Sequence, residues 1–402
     1  MDVTDERIDQ VLLAGGHEGR VSRRELAGLL KDLRRNMEAL SGARLTDRFG
    51  AGQGELGYAA TVDDLRALNS QRSPKLMLVK EYWTDGVWGG GLFVLDERSR
   101  DLRDDGGTVF LAKDGLRYLR QFSGPVAVED FGAIGDGSTD DTDAFVRAIN
   151  SRLAFTLRTA RYRITRPLVI EFPILLSGCG GLMSNMTEMR GSSIVIKDFD
   201  GAAFILKSDN VQIENIVVLG GRNNKGDGIQ IRGSRCSLRA VSTVGHGGSG
   251  IRVGDVSASI NANGWFCQNI VSLDNLEHGF VVDHSRERGP NVNAGVLLHA
   301  DLRANERDGL HIGKAYSLNI IGVFAQRNHG RGIFFSGQSR GVMALFPYVE
   351  NNGAEQLLLD ADSRWHVIFG WSQNATNDRF VDRGNQNVVL GRRNNAPYWK
   401  SF

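Results

Sequence analysis

The strongest constraint in this 402-residue chain is a repeat. Six short apolar strands open on glycine, at Gly201 (GAAFIL), Gly228 (GIQI), Gly250 (GIRV), Gly279 (GFVV), Gly309 (GLHI) and Gly332 (GIFF), and Gln356 (QLLL) takes the next place. The steps between them are 27, 22, 29, 30, 23 and 24 residues. A second strand recurs inside each unit, as VQIENIVV, CSLRAVS, CQNIVSL, AGVLLHADL, SLNIIGVFA and GVMALFP. A period of about 20–30 residues marks a solenoid, whose units bury an apolar face only by stacking. No leucine-rich consensus with helices accompanies the repeat, and the turns are rich in Gly and Asn. The expected fold is all-β, a right-handed parallel β-helix. Glycines are expected at coil corners, where positive φ or tight packing excludes a side chain. Asn215, Asn269 and Asn319, near the start of the second strand, are expected to turn left-handed or to bond between coils. The two longest units must loop outward, and such loops often build a binding face.

Composition narrows the remaining classes. Fifty glycines show no every-third period, which excludes collagen. Lys and Arg number 48 against 47 Asp and Glu, and this balance gives no reason to expect nucleic acid. Three cysteines make no disulfide scaffold or zinc spacing. The acidic start does not read as a signal peptide, and no apolar run is long enough to predict a membrane span. Three zones are expected. Residues 1–70 read as a helical attachment or oligomerisation segment. It has a capping box at Ser22 and Glu25, a stripe of Leu26, Leu29, Leu30, Leu33 and Leu40, and a glycine-rich linker from Ser41 to Tyr58. A short helix capped by Thr61 follows. Residues 75–124 read as a small β-rich domain with a turn at Asp105-Gly106-Gly107, where Trp83 and Trp88 close a core or stack on a sugar. Residues 125–402 form the β-helix.

Residues 128–150, VEDFGAIGDGSTDDTDAFVRAIN, closely resemble the opening motif of the pectate-lyase-like β-helix superfamily. Phe131, Gly132, Ala133, Gly135, Asp136, Gly137, Asp140, Asp141, Thr142 and Ala144 carry the match. The resemblance implies an initial strand, an Asp/Gly turn and a capping helix. Asp140 or Asp141 is placed to cap the helix that carries Ala144, Phe145 and Ala148. The acidic cluster lacks the spacing and terminal Glu of an EF-hand, so neither metal nor cofactor is expected. The preceding stretch, GGGLFVLDERSRDLRDDGGTVFLAKDGLRYLR, resembles the segment before the β-helix in bacteriophage tailspike and tail-fibre depolymerases. That resemblance implies a homotrimer of the virion tail, attached to the tail or baseplate through its N-terminal region. It also implies binding, and usually cleavage, of a bacterial surface polysaccharide.

Glycosidic hydrolysis needs two carboxylates flanking the scissile oxygen. Stacked coils repeat every ~4.8 Å, so carboxylates one coil apart suit the retaining separation of about 5–5.5 Å. The segments SLDNLEH and DLRANERD place Glu277 and Glu306 on neighbouring coils as the expected acid/base pair, with Asp274 and Asp308 as alternates. His246, His278, Arg303 and Arg307 are expected to contact substrate, the arginines suiting an acidic sugar. Asp283, with His284, Glu287 and Arg288, lines a subsite or solvates a loop. Trp365 and Trp371 stack on sugar or bury against a neighbouring subunit, and Tyr398, Trp399 and Phe402 plug the last coil. Two other readings stay open. One is a non-catalytic receptor-binding or structural tail protein. The other is a lyase or epimerase with His278 or His246 as base and Arg303 neutralising a uronate.

Overall fold

In the computed structural model the described residues are 56–68, 74–86, 88–181, 191–254, 261–283, 292–373, 379–393 and 396–400. The expected helix with its leucine stripe lies outside them, as do His284, Glu287, Arg288 and Phe402 and the side chains of Trp371, Tyr398 and Trp399. The chain divides into two units, Met1–Gly132 and Ala133–Phe402. No helix among the described residues is long and apolar enough to cross a membrane.

In the first unit, Thr61 ends a strand and starts a helix. Its hydroxyl accepts the Asp64 N–H at 3.1 Å while Asp64 accepts the Thr61 N–H at 2.9 Å, a reciprocal cap. The strand is β1 (Leu56–Thr61) and the helix α1 (Val62–Arg66). Strands β2 (Leu76–Glu81), β3 (Gly89–Asp96), β4 (Val109–Leu111) and β5 (Arg117–Arg120) complete a sheet of order β1-β2-β3-β5-β4. The expected linker therefore ends by Leu56, because Leu56 and Tyr58 pair with Leu76 and Leu78. Val62, Leu65, Met77, Val79, Phe93, Phe110 and Tyr118 fill the core. Asp105 makes the predicted turn by accepting the N–H groups of Gly107, Thr108 and Val109. Trp83 and Trp88 do not close this core: both lie on the surface, and the Trp83 indole donates to the Gly132 carbonyl at 2.8 Å.

In the second unit a short strand, Asp136–Asp140, leads into α2 (Thr142–Asn150). Asp141 does not cap it through its side chain. That buried carboxylate accepts the N–H groups of Ile134 and Gly135, and Asp140 instead accepts the Thr142 N–H at 3.0 Å. Asp136 folds the predicted turn onto Ser138 and Thr139, and these bonds hold its carboxyl down to about 2.

Beyond α2 the chain winds as a right-handed parallel β-helix. Nine short strands, from Leu168–Ile170 to Phe380–Asp382, stack in register and include every predicted glycine-anchored strand. The second strands stack likewise: Gln212–Leu219, Ser237–Val244, Phe266–Leu273, Val296–Arg303 and Asn319–Gln326 pair residue for residue. Inward columns such as Ile213, Leu238, Cys267, Leu297, Ile320 and Ala344 are fully buried.

Each long strand bends at one left-handed residue, in the column Asn215, Ala240, Asn269, His299, Gly322, Phe346 and Gly370. Asn215 and Asn269 behave as expected, but Asn319 is ordinary strand. The bend turns the two halves of the strand toward different directions. Of the two expected reasons for the anchor glycines, positive φ holds for Gly201, and tight packing holds for those from Gly228 to Gly332. A Cβ on Gly309 would stand 2.7 Å from Asn328 Nδ2 and 2.9 Å from the Gly332 carbonyl, so the next coil excludes it.

Candidate functional site

The corner after each long strand is built in two steps. A left-handed residue comes first, at Gly245, Asp274, Ala304, Arg327 and Asn351. A buried polar residue follows, at His246, Asn275, Asn305, Asn328 and Asn352. The asparagines form a ladder through the interior. Asn275 Nδ2 donates to Asn305 Oδ1 at 2.8 Å, Asn305 to Asn328 at 2.9 Å and Asn328 to Asn352 at 2.9 Å. The amides fix the corner, and the next three positions carry most of the predicted site.

Backbone stacking sets the columns. The Glu306 N–H donates to Asn275 O and the His329 N–H to Asn305 O, so Leu276, Glu306 and His329 share one column. Asn275 lies against Asn305 and Phe280 pairs with Leu310, so the turn between them keeps one register and Glu277 stacks with Arg307 rather than with Glu306. The expected one-residue slack between the two glutamates is not taken up by the turn.

Asp274 and Glu306 meet at one cation. Arg222 Nη2 lies 3.0 Å from Asp274 Oδ1 and 3.1 Å from Glu306 Oε1, so the two carboxylates are separated by no more than these contacts laid end to end. The other oxygen of Glu306 lies 2.6 Å from His329 Nδ1. All four groups are at least a third exposed. Glu277 stands between Arg252 at 3.4 Å and Arg307 at 3.9 Å, and Arg252 also holds the buried Asp227 at 2.8 Å.

Asp308 is buried. Its Oδ1 accepts the Arg331 N–H at 2.8 Å, and its Oδ2 lies 3.3 Å from His278 Nδ1 and 3.8 Å from His311 Nδ1. Burial alone would raise this carboxyl. The hydrogen bonds from His278 and the Arg331 backbone, with the charge of both imidazoles, bring it below the usual range. Burial, with His278 beside it, pushes the His311 imidazole down to about 4.

The other predicted contacts lie elsewhere. His246 points into the interior, where its Nε2 meets Val218 O at 3.1 Å and burial pushes it down to about 4; it reaches no surface. Asp283 Oδ1 accepts the Lys314 N–H at 3.2 Å. Arg303 pairs with Asp301 at 2.6 Å on the outward side of the strand, and burial raises the Asp301 carboxyl despite that cation. Trp365 is half-exposed, with the Arg340 guanidinium 5.6 Å from its ring centre. It precedes its long strand whereas the carboxylates follow theirs, so it stands on the opposite edge of the sheet. Sequence reasoning missed Arg222, Arg252, His311 and Asp301. The signal for His311 was its central place in GLHI, a position that faces outward in a strand.

Residues 58–123 match the family described as the phage tail protein small four-stranded β-sheet domain. The chain is 36% identical over 100 residues to the Mu-like prophage FluMu defective tail fiber protein of Haemophilus influenzae, an alignment that covers 24% of this chain and 16% of that one. It is 31% identical over 96 residues to the capsule K2-specific depolymerase of Klebsiella phage vB_KpnP_KpV74, covering 22% and 16% of the two chains. The chain thus spans about a sixth of the length of these curated relatives. Its fold is similar to the enzymatically active domain of tailspike protein 2 of bacteriophage CBA120, with a TM-score of 0.65 at 16% identity over 89% of this chain and 59% of that one. Residues 58–123 thus match a phage tail sheet domain, the chain is similar over about a quarter of its length to a tail fibre protein and a phage depolymerase, and its coils share the fold of a phage tailspike.

Proposed function

We propose that this tail protein binds a bacterial surface polysaccharide and hydrolyses its glycosidic bonds, with Asp274 and Glu306 as the carboxylate pair. The convergence of both carboxylates on Arg222 carries the reading, because contacts of 3.0 and 3.1 Å to one nitrogen limit the gap between their nearest oxygens to a range that includes the retaining separation of about 5–5.5 Å. Glu277, the other expected member, stacks with Arg307 and sits between two arginines. In the proposed reaction, the Asp274 carboxylate, beside Arg222, attacks the anomeric carbon. Glu306 protonates the leaving oxygen and is left as the carboxylate, held in place by His329 Nδ1 at 2.6 Å. Water then attacks the glycosyl–enzyme, giving its proton to Glu306. Phe324 and Tyr348, with ring centres 5.8 Å apart, stack on consecutive coils beyond Asp301 and next to the polar column Arg303, Gln326 and Glu350. An apolar ring bordered by planar polar groups suits a pyranose, and we place a sugar there.

The test is release of reducing ends from purified capsule or O-antigen. Asp274→Asn and Glu306→Gln are each expected to lower the rate ~10²–10⁴-fold while glycan binding persists. Full activity in both variants would falsify the pair. A lyase reading is favoured by a different feature of the same corner, the imidazole of His329 and the cation of Arg222 on the two oxygens of Glu306. It predicts an unsaturated, ultraviolet-absorbing product, which a hydrolase never yields. Binding without any cleavage leaves the receptor-binding reading in its place. The protein is further proposed to act as a homotrimer attached to the phage tail through its N-terminal region. The exposed apolar side chains of Met343, Val367, Phe369 and Leu390, on neighbouring coils of one face, support a second copy as its occupant.

A further inference from the structure

We propose that His278, Asp308 and His311 bind one borderline divalent metal ion of the zinc class, holding two successive coils together beside the carboxylate corner. His278 lies on one coil and the other two on the next, Asp308 in the turn before the strand Leu310–Ile312 and His311 in the middle of that strand. Among the described residues this group has one ligand atom from each member within 4.8 Å of the others.

The spacing suits the chemistry. A zinc ion holds imidazole nitrogens at about 2.0–2.1 Å, which sets tetrahedral ligands about 3.3–3.4 Å apart. His278 Nε2 and His311 Nδ1 are 3.3 Å apart, His311 Nδ1 and Asp308 Oδ2 are 3.8 Å apart, and His278 turns its other nitrogen, Nδ1, to Asp308 Oδ2 at 3.3 Å, so an ion would draw the three donors, all within 4.8 Å, slightly closer. The rings cross edge to face at 69°, so their two nitrogens converge rather than stack. Two imidazoles and a carboxylate form a nitrogen-rich donor set that selects a transition ion over calcium or magnesium.

The outer partners are those a metal site needs. A ligating imidazole is oriented through its other nitrogen, and His311 Nε2 lies 2.6 Å from Ser336 Oγ on the following coil. A ligating carboxylate is itself held by hydrogen bonds. Asp308 Oδ1 accepts the Arg331 N–H, and the Arg331 guanidinium stands 3.6 Å from that same oxygen, leaving Oδ2 turned to the histidines. The His311 side chain keeps 18% of its surface exposed, which gives an ion a way in and a fourth position for water or a sugar hydroxyl. The proposal stands apart from the hydrolase reading, since none of its three ligands belongs to the pair Asp274 and Glu306.

The experiment uses the full chain without an affinity tag, stripped with chelator and titrated with Co²⁺ and Zn²⁺. The wild type is expected to take up one ion per chain and to show the intense visible bands of tetrahedral Co²⁺, which Zn²⁺ then abolishes. His311→Ala is expected to lose the site, and Ser336→Ala to weaken it ~10–100-fold. His299→Ala, an exposed histidine elsewhere, should leave it unchanged. A featureless cobalt spectrum and no bound zinc in the wild type would overturn the proposal, and so would one retained ion in folded His311→Ala. The wild-type spectrum decides the matter even where a variant fails to fold.

Discussion

Asn305 shows how much one side chain does here. Its amide donates to Asn328 Oδ1 and to the Ser272 carbonyl, and its oxygen accepts from the backbone and side chain of Asn275. Asn305→Ala would strand several buried groups at once, at an expected cost of ~2–4 kcal/mol, read as a lowered midpoint in chemical denaturation. Buried histidines add a pH dependence. Burial pushes His246 and His366 each down to about 4, against about 6.5 in an unfolded chain. As pH falls, the unfolded chain binds protons at these rings before the folded one does. Their stabilisation is therefore complete above about pH 6.5 and is lost progressively toward pH 4. The thermal midpoint should fall across that window, and more gently in His366→Asn; a midpoint flat from pH 7 to 4 would show that these rings are not held neutral.

At the scale of the strand, the bend column decides which side chains face together. The His299 ring lies across Gly322, where a Cβ would stand 2.8 Å from the imidazole, and Phe346 covers Gly370 in the same way two coils on. Gly322→Ala should cost ~1–2 kcal/mol for its left-handed conformation, plus the displacement of the ring. Adding His299→Ala should recover the second part only, so a double-mutant cycle separates them. Past the bend, Phe324→Ala is expected to raise KM for the polysaccharide ~10-fold with kcat little changed, because a stacking ring binds substrate and transition state alike. The strands themselves were legible: apolar runs at steady intervals demand stacking, and the Asp136 and Thr61 turns are local chemistry. The bend was not legible, since Ala240, His299 and Phe346 adopt a conformation that nothing in their residue type announces. The carboxylate corner could be found from SLDNLEH and DLRANERD, but its partner could not. Arg222 lies 84 residues before Glu306, and only the winding of the coils brings it there.

For the whole molecule, the proposed trimer gives the outward apolar columns their use. Phe369→Asp places a charge in the middle of that face and is expected to shift the mass measured by light scattering from three chains to one. A wild type that is monomeric at micromolar concentration would remove the trimer from consideration. The asparagine ladder has a consequence on this scale as well. Each amide from Asn275 to Asn328 donates toward the next coil, and Asn352 ends the series on Gln356 of its own turn. The dipoles therefore point one way along the axis and polarise one another. A single reversed amide would set nitrogen against nitrogen on one side and oxygen against oxygen on the other, so the column keeps one sense throughout, and an inserted coil extends it only by arriving with its amide already aligned.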